Sequence, residues 1–115
     1  MSDYNPARTR EVIATLRALQ NNPHVKQIRG TLGSTSKDKR IGAVCALGGI
    51  RDFCDSYRGI SGFEKQVNLD LPVRTYEITN WNDSRFLSFG QIADKIEEAA
   101  LANGGEETLY SFLDG

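Results

Sequence analysis

The segment from residue 88 to residue 100, Ser-Phe-Gly-Gln-Ile-Ala-Asp-Lys-Ile-Glu-Glu-Ala-Ala, places the firmest constraint on the fold. Phe89, Ile92, Ala93, Ile96 and Ala100 recur at helical spacing and predict one apolar face, with Glu97 and Glu98 towards water. Ser88 with Gln91 three residues on forms a capping box, and Asn103-Gly104-Gly105 is a stop signal. A helix with one apolar face has to lay that face on another element. The rest of the chain must therefore supply a cover.

A second helix of the same kind is predicted near the start. Asn5 can cap it, and Pro6 suits the first turn, where no N–H is needed. Val12, Ile13, Leu16 and Leu19 form its stripe, with Arg8, Arg10 and Arg17 mostly off it. Asn21-Asn22-Pro23 ends it. Residues 25–32 and 40–44 then read as two arms of a β-hairpin around the turn-rich residues 33–39. A helix is predicted from Cys45 to Tyr57, with Leu47, Ile50, Phe53 and Cys54 on one face. Gly48-Gly49 lies inside it, and each glycine costs a helix about 1 kcal/mol relative to alanine. Close approach by another backbone is the expected compensation. Val67, Leu69 and Leu71 alternate as in an edge strand that Pro72 ends. A short helix follows, capped by Thr75, containing Tyr76, Ile78 and Trp81, and broken at Asn82-Asp83-Ser84.

These elements predict an α+β fold: about four helices packed on a short antiparallel β-hairpin or three-stranded sheet. The length of 115 residues suits one domain, expected over residues 1–105, with an acidic and aromatic tail over 106–115. With 39% hydrophobic and 25% charged residues, the chain is too apolar to be disordered. The net charge of −1 gives no strong nucleic-acid signal. It is unevenly spread: residues 1–60 hold ten Lys/Arg and five Asp/Glu, the remainder four and ten. Either two faces of opposite sign result, or the halves pack together and interleave their charges. No leader-like apolar run opens the chain and no stretch is long enough to span a membrane, so a cytoplasmic protein with reduced thiols is expected.

Several residues could carry chemistry. Cys45 at a helix start meets unpaired N–H groups that stabilise a thiolate, as in a nucleophile. The alternative is a small buried hydrophobe. The one histidine, His24, lies in a loop context unsuited to a catalytic base. On one helix Cys45 and Cys54 stand roughly 13 Å apart, against at most about 7 Å for a disulfide. Two cysteines and one histidine fall short of a zinc site, and no metal or cofactor is expected. Residues 33–37 lack the spacing of a phosphate loop. Lys26, Arg29, Lys37, Lys39 and Arg40 could still hold an anion if hairpin arms gather them, or could form an ordinary solvated face. Asp52 and Asp55 read as an exposed helix face. Trp81-Asn82-Asp83 reads as a structural corner or as a polar pocket floor beneath the only tryptophan.

Two pieces taken together carry a resemblance. They are Val44-Cys45-Ala46-Leu47-Gly48-Gly49-Ile50, and Ile78-Thr79-Asn80-Trp81-Asn82-Asp83 followed by residues 88–96. In order and spacing they resemble a set of small bacterial, actinobacterial and phage proteins of unknown function. Those have a Cys-x-Leu-Gly helix, an Asn-Asp turn and a Phe-x-x-Ile-Ala-type helix. The resemblance covers roughly residues 40–100 and implies a phage or prophage accessory gene, without implying a mechanism.

The expected function is that of a non-enzymatic accessory protein that binds a host factor, such as a defence component, or sequesters a small anionic ligand. Arg29, Lys39 and Arg40 are the expected anion contacts, with Trp81, Asn82 and Asp83 as the pocket wall. A cysteine-dependent enzyme built on Cys45 is the first alternative. The second is a subunit of a larger assembly, homo-oligomeric or phage-encoded, docking through Leu109, Tyr110, Phe112 and Leu113.

Overall fold

A computed structural model describes residues 4–36 and 41–103. The fold is α+β, with five α-helices and one three-stranded sheet. The helices are α1 (Pro6–Gln20), α2 (Ala46–Phe53), α3 (Phe63–Asp70), α4 (Thr75–Asp83) and α5 (Phe89–Ala102). The strands are β1 (Val25–Gln27), β2 (Gly33–Thr35) and β3 (Gly42–Val44).

The two predicted stripes cover one another. α1 and α5 form the most extensive helix pair, burying Val12, Ile13, Leu16 and Leu19 with Phe89, Ile92, Ala93, Ile96 and Ala100. Both caps form as read: Asn5 Oδ1 accepts from Arg8 N at 3.1 Å, and Ser88 Oγ accepts from Gln91 N at 3.2 Å. Gln91 Oε1 returns a bond to Ser88 N at 2.9 Å, which completes the box. Arg17 bridges the pair at its rim, donating to Asp94 at 2.9 Å and Glu97 at 3.1 Å. Those carboxylates push its already high pKa further up. Arg8 likewise reaches Asp70 at 3.3 Å. The basic first half and the acidic second half thus interleave at these contacts.

α2 fills the centre between α1, α4 and the sheet. Gly48 meets another backbone as expected, whereas Gly49 meets a side chain. A Cβ on Gly48 would overlap the carbonyl oxygen of Leu32, and one on Gly49 would press on the Leu19 side chain. The same Leu32 carbonyl accepts from Cys45 N at 3.2 Å. The helix ends earlier than predicted, at Phe53; Cys54 turns to extended geometry and a single 3-10 turn, Asp55–Tyr57, follows. Cys45 and Cys54 cap opposite ends of α2, and both are free and buried.

Three other expectations need correction. The sheet order is β1-β3-β2, with β1 parallel and β2 antiparallel to β3. The arm over 25–32 therefore breaks into β1 and a turn, because Gly30 and Gly33 take left-handed φ values of 85° and 80°. The hairpin is β2–β3. The expected edge strand at 67–71 is the end of α3. Phe63, Val67 and Asp70 share its buried face, whereas Leu69 is 60% exposed. The alternation of leucines coincided with a helical face followed by the buried Leu71. Asp52 is buried instead of exposed, clasped by Arg51 at 2.8 Å and by Thr35 at 3.4 Å.

Candidate functional site

The polar residues singled out in the sequence converge where α4 turns into α5. Asn82 is completely buried near the end of α4. Its Oδ1 accepts from Gln27 Nε2 at 2.7 Å and from Ala46 N at 3.0 Å. Its Nδ2 donates to the Ile28 carbonyl at 2.8 Å and to Asp83 Oδ1 at 2.7 Å. Both donors and both acceptor positions of the amide are thus occupied. One side chain ties α4 to β1 and to the first turn of α2. Gln27 extends the knot, donating to the Leu87 carbonyl at 2.8 Å and accepting from Phe89 N at 3.1 Å. It clamps the backbone on both sides of the Ser88 cap.

Cys45 lies beside this knot. It is the N-cap residue of α2, and its Sγ accepts from Gly48 N at 3.4 Å. Burial pushes the thiol pKa up; the amides of Gly48 and Leu47 oppose that shift, while the Asp83 charge reinforces it. The helix-terminus effect is present and loses to desolvation. Cys54 is pushed further, to about 12, by burial and by its hydrogen bond to Glu11 at 3.0 Å. For Glu11 itself, burial is the largest influence and works upward. The combined bonds from Cys54 and Ser56 outweigh it and hold the carboxyl below its usual range.

The outer side of the same turn is different. Phe86 is 66% exposed and takes a left-handed φ of 55°, the only non-glycine residue with positive φ among those described. That conformation costs an aromatic residue of order 1–3 kcal/mol. Flanking bonds impose it: Arg85 N donates to the Asn80 carbonyl at 3.0 Å and Leu87 N to the Trp81 carbonyl at 2.9 Å. The left-handed position of this turn is thus filled by Phe86, four residues beyond Asn82. The Arg29 guanidinium stacks on the Phe86 ring at 4.7 Å from its centroid. Among the described residues Arg29 makes no ion pair. Stacking occupies the face of a guanidinium and leaves its N–H edge available.

The structure therefore brings together Cys45, Asn82 and Asp83, and sets Arg29 on the far side of the turn. Trp81 is half-buried against the core, and its carbonyl helps to shape the turn. Lys39, Arg40, Leu109, Tyr110, Phe112 and Leu113 lie outside the described residues. Gln27 and Phe86 were missed by sequence reasoning. Gln27 carries no motif, and Phe86 was hidden in a stretch read as a helix break. An aromatic placed between two helix signals, beside Arg85, was the available clue.

A second buried network sits at the other end of the molecule. Asp70 accepts from Tyr57 Oη at 2.8 Å, Gln66 at 3.0 Å and Arg8 at 3.3 Å. Burial, then the Asp70 carboxylate, pushes the Tyr57 phenol far up. Among the described residues no group of three or more His, Cys, Asp or Glu could hold a metal ion. None of the described helices is long and apolar enough to cross a membrane. Compared with protein-family models, curated proteins and solved structures, the chain matches none.

Proposed function

We propose that this chain is a non-enzymatic binding domain that docks a host protein through the Arg29–Phe86 ledge. The observation that carries the reading is Phe86 itself: a large aromatic held exposed, in a strained left-handed conformation, beneath an arginine that has no ion partner among the described residues. Strain of this kind persists where surrounding structure enforces it, and it clusters at working surfaces. Aromatic and arginine side chains are the anchors that interfaces favour. Both side chains of the ledge are exposed, which suits a carboxylate-bearing protein surface better than a sequestered small ligand. The resemblance over residues 40–100 supports an origin as a phage or prophage accessory protein working in the bacterial cytoplasm.

The cysteine-enzyme reading has less support. The Cys45 thiol is buried and its pKa is raised, and the Asn82 amide that would orient a partner is fully engaged. Affinity capture from bacterial lysate tests the proposal. A host protein retained by the wild type and lost by both Arg29→Glu and Phe86→Gly supports it. Equal retention by all three would refute it.

A further inference from the structure

A recess away from the ledge lies between the end of α3, the link from α3 to α4, and the end of α5. It is a cavity of about 290 Å³ lined by Tyr4, Leu69, Leu71, Pro72, Arg74 and Asn103, with Asn68 at its side. Its wall is part apolar and part basic. Leu69 is 60% exposed there, and Arg74 is exposed with one donor on the Asn68 carbonyl at 3.3 Å. Tyr4 anchors one side, donating from its hydroxyl to the Ala100 carbonyl at 3.3 Å.

We infer that this recess receives the chain's own segment Glu106–Leu113, with Leu109, Tyr110 and Phe112 supplying the apolar contacts. Three observations select this occupant over others. Asn103, from which the segment departs, is itself a wall of the recess, so the segment begins at the site. Leu109 is six positions beyond Asn103, a reach of at most roughly 20 Å, enough to cross a cavity of this size. The chemistry also matches: Glu106 and Glu107 lead a run of Leu109, Tyr110, Phe112 and Leu113, and the recess offers Arg74 beside Leu69, Leu71 and Pro72. A neighbour tethered at the rim has a high effective concentration and outcompetes a free partner of equal affinity. The inference is independent of the Arg29–Phe86 ledge.

Limited chymotrypsin digestion of the full chain tests it, because the enzyme cuts after Tyr110 and Phe112. Both bonds are expected to be protected in the wild type. Leu69→Glu places a like charge against the acidic segment at an exposed position that the core does not use. It should speed cleavage at these two sites by roughly tenfold, since cleavage tracks the population of the open form. Equal rates in the two proteins overturn the inference. Protection that weakens on dilution also overturns it, by assigning the occupant to a second copy. In the unmodified chain, nuclear Overhauser contacts from the Tyr110 or Phe112 ring to the Leu69 methyls are expected. Their absence overturns the inference whatever the fate of the variant.

Discussion

Two polar constellations share the turn between α4 and α5, and they face opposite ways. Inward, Asn82 spends both amide donors and both acceptor positions, and Gln27 both donors and one acceptor position, on backbone, on each other and on the Asp83 carboxylate. Outward, four residues after Asn82 and two after Gln27, Phe86 and Arg29 stack in the open with no ion pair among the described residues. The inner set is what buried polar groups look like when they specify a fold. The outer set is held in place by the inner one, since Gln27 grips the backbone on either side of Ser88. Residue types that suggest a site were thus split by the fold into a fastening and a surface.

The largest effect that separates the two is expected from Asn82→Leu. It strands the Ala46 N–H, the Ile28 carbonyl and the Gln27 amide in the interior. At about 1–3 kcal/mol for each unsatisfied buried group, the loss approaches the whole stability of a small domain. Urea unfolding should show a midpoint near zero or a chain that does not fold. If Asn82→Leu were nearly neutral, the inner network would not be the fastening.

The thiols give the next largest effect. Cys54 has a pKa of about 12 in the folded chain, and Cys45 is also raised, against an ordinary thiol value of about 8.5. The folded state keeps protons that the unfolded state would release. Their stabilisation is complete below about pH 8.5 and is lost as pH rises towards the folded values, by about 1.4 kcal/mol per unit and thiol. Urea unfolding at about pH 8 and about pH 10 should show this fall, and Cys54→Ala should make it shallower. In the native protein near neutral pH, Cys45 should resist iodoacetamide until the chain unfolds. Rapid native alkylation would return weight to the enzyme reading.

Smaller effects belong to the ledge. Phe86→Gly removes the left-handed penalty and should leave stability equal or higher by about 0.5–1 kcal/mol, while abolishing partner capture. Arg29→Glu forfeits only an exposed cation–π contact, about 0.5–1 kcal/mol, yet reverses the charge offered to a partner. A marked loss of stability in either variant would make the ledge part of the fold.

Much of the architecture was legible because helical periodicity and capping are local signals. The α1 and α5 stripes, the Ser88–Gln91 box and the Gly48 approach all follow from residue type and spacing. The three-residue strands were less legible: two glycines decided where the chain turned, and a parallel pairing of β1 with β3 has no local signature. α3 was misread because Leu69 is exposed, which let a helix imitate a strand. At the site, Asn82 and Arg29 were visible as types but not as roles. Whether an asparagine is engaged or available depends on Gln27, distant in sequence and brought to it by the fold.

The most direct test places a photo-reactive benzoyl-phenylalanine at position 86 of the full chain in living bacteria, with the same residue at Glu98, on the exposed face of α5, as control. The account predicts one discrete crosslinked host protein from position 86, absent from position 98 and lost when Arg29→Glu is added. No adduct at position 86, or one that Arg29→Glu leaves unchanged, would contradict the claim that this ledge is the working surface.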